Sequence, residues 1–181
     1  MINIIVGKPG EGKTYSLVRQ AYKEAKKGRN VYSNFYIKFP QILDPKNEIN
    51  RRIFFWDKIT DFVNIKKGVI IIDEVQIYFN SRGWKELPPK VQYKFQQHRK
   101  QGLDIWGATQ NIKRIDTIIR EIVNTVYSVK KLPFFFHMKS YDVEDIDKAN
   151  KNCHSNFMFP LKKTIANSYD TFQEIDDQFL I

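Results

Sequence analysis

Only one cysteine, Cys153, occurs in the 181 residues. A lone thiol cannot staple a fold, which fits a reducing compartment and excludes a disulfide-framed secreted module. Long apolar runs are missing as well. The longest, Val69 to Ile72, is strand-sized and far short of the roughly 18 residues needed to cross a bilayer as a helix. At the N-terminus there is no charged region leading into an apolar stretch and a cleavage site, so no secretory signal is expected. Internal repeats, low-complexity tracts and a clear linker are absent too. What remains, 181 residues with 42% hydrophobic content, reads as one globular domain over 1–181 with a sizeable core. Residues 133–181 form its less regular C-terminal extension.

Acidic residues are also in short supply. Asp and Glu number 20 against 30 Lys and Arg, a formal net charge of +10. Such an excess concerns partners, not fold. The basic residues recur in clusters: Lys23, Lys26, Lys27 and Arg29; Arg51 and Arg52; Arg99 and Lys100; Lys113 and Arg114; Lys130 and Lys131; Lys162 and Lys163. Any single pair is an ordinary solvated surface. Together they point to a polyanion, most simply nucleic acid held through its phosphates. Aromatic residues, 14% of the chain, could add base stacking, although most belong in a core.

The most specific feature present is Gly7-Lys8-Pro9-Gly10-Glu11-Gly12-Lys13-Thr14, a complete Walker A loop. Ile2, Ile4, Ile5 and Val6 precede it as a short buried strand, and Ser16, Leu17, Val18, Ala21, Tyr22 and Ala25 follow at helical spacing. Strand, glycine loop and helix together define a phosphate site. The glycines let successive amides point into one concavity, and the helix N-terminus adds partial positive charge. Residues Gly7 to Thr14, with Tyr15, are the expected nucleotide-binding set. Lys13 would neutralise the β- and γ-phosphates, and Thr14 would place its hydroxyl on Mg²⁺.

Gly28 should cap the first helix near Lys27. Strands are expected at Val31 to Ile37, Ile53 to Trp56, Val69 to Asp73, Asp104 to Thr109 and Thr125 to Val129, with another at Phe157 to Leu161. Gln41 to Arg52 reads as a surface loop and Asp57 to Val63 as one or two helical turns. Pro88 and Pro89 should open a helix running to about Gln101, capped by Gly102, and Asp116 to Glu121 should form another. Strands alternating with helices predict an α/β fold: a P-loop NTPase with a central, mostly parallel sheet flanked by helices.

Val69-Ile70-Ile71-Ile72-Asp73-Glu74 is a Walker B pattern, a buried strand ending in two acids. Asp73 is expected to hold the Mg²⁺ shell and Glu74 to polarise the attacking water. The adjacent Glu74 favours a hydrolase over a small-molecule kinase, which must keep water from the reacting phosphate. Gln110, at the tip of Asp104 to Thr109, is placed to sense the γ-phosphate or the water.

In order along the chain, GKPGEGKT, VYSNF, IIIDEVQIYFNSR, HRKQGLDIWGATQ, IDTIIREIV and the late YDTF resemble the zonula occludens toxin-like (Zot) phage ATPases, within the wider FtsK/HerA group of DNA-pumping motors. The resemblance covers Met1 to about Lys131. It implies an ATP- and Mg²⁺-dependent motor that translocates viral DNA through sequence-independent phosphate contacts. It implies a homo-oligomeric ring, a hexamer or pentamer, working with capsid-vertex or membrane-associated assembly proteins. Lys13, Thr14, Asp73, Glu74 and Gln110 match the family's site positions. The filamentous-phage members continue into a transmembrane helix. Because this chain has no such segment, genome packaging into a capsid is the first reading, in the host cytoplasm or with the virion. Filament export at the inner membrane is the alternative, and a nucleotide-gated DNA-binding module with little turnover is a third.

In ring motors a neighbouring subunit supplies an arginine to the transition state. Arg99 is the first choice, Arg120 the second and Arg82 the third. His98 is expected to pack or hydrogen-bond on its helix, and Cys153, His154 and His137 carry no metal-ligand spacing.

Overall fold

The computed structural model describes residues 1–80, 88–146 and 152–170. Arg82 and the last two residues of YDTF, Thr171 and Phe172, lie outside them.

An eight-stranded sheet organises the chain in the order β3-β2-β4-β5-β1-β6-β7-β8. The strands are β1 (Ile2–Val6), β2 (Val31–Ser33), β3 (Ile53–Phe55), β4 (Gly68–Ile72), β5 (Leu103–Thr109), β6 (Thr125–Lys131), β7 (Phe135–Tyr141) and β8 (Ser155–Pro160). From β3 to β6 every pairing is parallel; β7 and β8 are antiparallel additions at one edge. Helices α1 (Lys13–Lys26), α2 (Pro89–Gln96), α3 (Thr117–Ile122) and α4 (Lys163–Ala166) complete the main elements.

At the centre of the parallel part both faces are covered, and β4 is apolar and buried at every position. Side chains alternate between the two faces. Ile2, Ile4, Ile70 and Ile72 pack with Phe62, Phe79, Phe95 and Ile119 on one side. Ile5, Val69 and Ile71 meet Leu17, Val18, Ala21 and Ala25 of α1 on the other. Helix α1 ends as expected, with the Gly28 amide donating to the Ala25 carbonyl at a φ of 86°. A buried acid on α1, Glu24, is held by Lys27 at 2.7 Å and Arg29 at 2.9 Å. Arg29 also reaches Asp104 at 2.7 Å, so this part of the basic cluster is spent within the fold.

Three elements differ from expectation. Strand β2 stops at Ser33, because Asn34 turns away to bond Asp73, and Ile37 instead makes an isolated bridge to Tyr169. Helix α2 stops at Gln96, and 97–102 form turns that place Arg99 beyond the helix and not on it. The extension from Pro133, expected to be less regular apart from a strand at Phe157 to Leu161, supplies β7 as well as that strand, β8. Met138 and Phe136 face inward beside Val129 and Phe159, completing the core over α1. The run Phe134-Phe135-Phe136 hid this, since Phe134 and Phe135 are exposed and only Phe136 is buried.

His98 is buried just after α2, its Nδ1 2.7 Å from the Phe95 carbonyl. Burial pushes its pKa down; the Phe95 carbonyl opposes this, Met1's ammonium and Arg99 add to the fall, and Asp104 opposes it. The unfolded chain therefore takes up this proton first as pH falls. Stability from neutral His98 is complete above about pH 6.5 and is lost as pH drops toward the lower folded value. A His98→Gln variant should show a flatter acid limb than wild type when melting temperature is followed from pH 7.5 to 5. An unchanged limb would remove His98 as its source.

Candidate functional site

The glycine loop leaves the C-terminal end of β1 and enters α1. Gly10 and Gly12 have φ values of 78° and 91°, the left-handed region that side chains resist. Gly12 is doubly constrained, because a Cβ there would lie 2.1 Å from the Phe136 ring. A Gly12→Ala substitution should cost about 1–2 kcal/mol in backbone strain and about 1–3 kcal/mol in overpacking. Urea unfolding of Gly12→Ala, Phe136→Leu and the double variant separates these, since Gly12→Ala should cost only the strain part when Leu stands at position 136. Gly7 is needed for space, a Cβ there being 2.9 Å from the Val129 carbonyl.

Within the loop, the Lys8 amide donates to Glu11 Oε2 at 2.7 Å and Lys13 Nζ donates to the Lys8 carbonyl at 3.3 Å. Lys13 is buried, so its ammonium is anchored across the loop. Pro9 and Gly10 form the exposed crown. The first-turn amides of α1, including Thr14 and Tyr15, face away from any earlier helical carbonyl. The Tyr15 side chain is committed elsewhere. Its ring stacks on Phe136 with centroids 4.5 Å apart, and its hydroxyl accepts from the Lys162 amide at 2.8 Å and donates to the Pro160 carbonyl at 3.2 Å. Only its backbone amide is left to a phosphate.

Strand β5 lies between β1 and β4, so the loop and the two acids flank one strand. The pairings Val6 with Thr109 and Ile72 with Gly107 align all three C-terminal ends. Thr14 Oγ1 donates to Asp73 Oδ2 at 2.6 Å, joining the two halves of the site. A hydroxyl and a carboxylate side by side are hard oxygen donors, a set that fits Mg²⁺. Burial pushes the Asp73 carboxyl up; the Thr14 hydroxyl and Lys13 oppose this, and Glu74's charge adds to it. A cation at that oxygen would relieve the cost of ionising it.

Glu74 adopts φ 47° and ψ 51°, an outlier for a residue with a Cβ and the kind of strain that gathers at functional positions. Its carboxylate accepts from Gln76 Nε2 at 2.5 Å, and its amide donates to Asp73 Oδ1 at 3.0 Å. Gln110 follows the end of β5 and is exposed, between the loop on one side and the acids on the other.

Sequence reasoning missed two positioning residues. Asn34 clasps the Asp73 backbone twice, its Oδ1 accepting from the Asp73 amide at 2.8 Å and its Nδ2 donating to the Asp73 carbonyl at 3.0 Å. Gln76 holds Glu74. Asn34 stands in the VYSNF block, whose content hinted at a role without showing which.

Neither described arginine candidate lies at the same edge as the loop. Arg99 is exposed at the start of β5, opposite Gln110, and Arg120 sits near the end of α3, its Nη2 bonding Thr117 Oγ1 at 3.0 Å. His137 bonds Asn156 and Cys153 bonds the Ser155 carbonyl, whereas His154 pairs with Asp142 at 3.1 Å, with Asp145 close by. Among the described residues no helix is long and apolar enough to cross a membrane.

The family model described as zonular occludens toxin (Zot) matches residues 1–170. The gene 1 protein of Enterobacteria phage I2-2 is 29% identical over 142 residues, covering 66% of this chain and 37% of that protein. The N-terminal domain of zonular occludens toxin from Neisseria meningitidis superposes with a TM-score of 0.59 at 23% identity, covering 93% of this chain and 98% of that domain. The genome packaging NTPase B204 of Sulfolobus turreted icosahedral virus 2, in complex with AMP, gives 0.58 at 14% identity, covering 85% and 96%. At these identities the structural likeness establishes the fold, an α/β P-loop NTPase.

Proposed function

Because the chain belongs to the zonular occludens toxin (Zot) family, we propose that it is a Mg²⁺-dependent ATPase of the FtsK/HerA type that moves viral DNA during virion assembly. The observation that carries this reading is the 2.6 Å bond between Thr14 and Asp73, which places the glycine cradle against the acidic strand end. Amides of the loop from Gly7 to Tyr15, except Pro9, which has none, and Lys8, whose amide is held by Glu11, would bind the phosphates, with Lys13 spanning them. Thr14 and Asp73 would hold Mg²⁺, whose charge offsets that of the phosphate oxygens. Glu74, oriented by Gln76, would take the proton from the attacking water at its carboxylate, and Gln110 would position that water. Arg99, in the turns before β5, remains the first choice for the arginine that a ring neighbour would supply, and Arg120 on α3 the second.

Packaging into a capsid is supported by the fold shared with the packaging NTPase. A second reading, export of a filament at the inner membrane, is supported by the sequence match to the phage gene 1 protein, of which the matched region spans 37%. Phosphate release from isolated and assembled protein, with and without DNA, tests the shared core of both. Turnover that rises on assembly and on addition of DNA is expected. No turnover under any condition would leave a nucleotide-gated binding module, and turnover indifferent to DNA would remove the motor.

A further inference from the structure

At the end of β4 and β5 remote from the glycine loop lies an open cavity of about 950 Å³. Its rim carries Lys66, Lys67, Lys90, Tyr93, Arg99 and Lys100, all exposed. Among the described residues none of the five cations pairs with a carboxylate, and none of the described lining residues is acidic. Lys27 and Arg29, by contrast, are engaged by Glu24.

The concentration of charge is built by the backbone. The Lys67 amide donates to the Gln101 carbonyl at 3.3 Å and the Gly68 amide to the Gly102 carbonyl at 3.2 Å, so two segments distant in sequence lie side by side. Lys67 is held at φ 58°, a strained conformation for a residue with a Cβ. Lys94 braces the floor. Its ammonium is buried and donates to the Val63 carbonyl at 2.8 Å and to the Ile65 carbonyl. Burial pushes its pKa down, and Lys66 adds to this. Tyr93, one residue before it on α2, turns its ring outward, 62% exposed.

We propose that this groove binds single-stranded nucleic acid, its exposed lysines taking the backbone phosphates and Tyr93 stacking an unpaired base. The inference rests on the reading of the chain as a nucleic-acid motor and deepens it by naming the contact surface and the strandedness. Phosphates match the unpaired cations. An exposed aromatic among them is the platform on which unstacked bases lie, which a duplex does not offer. A bilayer surface, being flat, would not follow a concavity between α2 and the strand ends. The groove and the phosphate site occupy opposite ends of β4, about 17 Å apart for five residues at roughly 3.3 Å each. A strand in the groove therefore leaves the nucleotide's path open.

The test measures anisotropy of a fluorescein-labelled oligo-dT over a salt series, for wild type, Lys66→Gln/Lys67→Asn/Lys100→Gln, Tyr93→Ala, and a control Lys46→Gln/Lys58→Gln/Lys162→Gln with the same charge change elsewhere. Arg99 is left intact because a ring neighbour could need it. The groove triple should weaken binding at least tenfold and lower the log–log salt slope by about 2, at roughly 0.7 per phosphate contact. Tyr93→Ala should lose roughly tenfold with the slope unchanged. Unaltered ATP binding shows that the variants are folded. Equal losses in the control triple, tighter binding of duplex than of oligo-dT, or losses confined to phosphatidylglycerol vesicles would each overturn the groove assignment while sparing the ATPase reading. Wild type that binds no nucleic acid, while still hydrolysing ATP, would overturn both the groove and the DNA-moving role.

Discussion

Lys13→Ala should lower phosphate release by roughly 10²–10³-fold, the scale set by removing one pre-aimed donor from a developing phosphate charge. Nucleotide affinity should fall as well, by about 1.5–3 kcal/mol for a lost charged hydrogen bond. The reason is the position of the ammonium. Lys13 is buried and already tethered to the Lys8 carbonyl at 3.3 Å, so it spans the loop before any nucleotide arrives. Such a group loses little freedom when it engages a phosphate. Lys13→Arg should not restore turnover, because the longer planar fork does not fit a concavity closed on one side by the packing around Gly12. Single-turnover phosphate release and titration with a fluorescent ATP analogue check both parts. Undiminished turnover in Lys13→Ala would remove the phosphate role of the loop altogether.

Glu74→Gln is the second large effect, and it has a different signature. Binding of ATP should stay near the wild-type level, while hydrolysis should fall roughly 10²–10⁴-fold, the usual contribution of a positioned general base. Gln76 Nε2 holds one carboxylate oxygen of Glu74 at 2.5 Å, which orients the side chain and leaves the other oxygen to receive the proton. An amide at position 74 keeps the size of the side chain but has no basic oxygen. Thr14 and Asp73 are untouched, so the cradle stays intact. The expected product is a protein that retains ATP, seen as unhydrolysed nucleotide after filtration. Hydrolysis at the wild-type rate would show that another group activates the water. Equal losses of binding and hydrolysis would show that Glu74 supports the site instead of the reaction.

The phosphate loop was legible because its parts are contiguous. A strand, eight loop residues and a helix carry their geometry in local terms: positive φ at Gly10 and Gly12, helical spacing after Thr14. The acids were legible because two carboxylates directly after a run of buried aliphatics mark the C-terminal end of a core strand, and there stand Asp73 and Glu74. The strand at Phe157 to Leu161 was legible too, as β8, but β7 and the antiparallel addition of both beyond β6 were not. Their side chains alternate imperfectly, and the inward residues are selected by pairing with β6 and by contact with Gly12 and Tyr15, neither of which a local pattern records. Helix α2 was overextended for a related reason. Its period persists toward Gln101, yet the chain turns at Gln97 to deliver Leu103 to the sheet beside Gly68.

From the order of residues alone came the class of fold, the excess of positive charge and the two motifs on which the proposed nucleotide chemistry rests, since each depends on residue type and short-range spacing. Folding in three dimensions decided which groups meet across long separations: Asn34 with Asp73, Tyr15 with Pro160 and Lys162, Lys67 with Gln101. Charge counted along a chain has no address. Only the packing of β4 beside β5 gathers five cations into one groove and, at the opposite end of the same strands, brings a threonine hydroxyl within 2.6 Å of an aspartate.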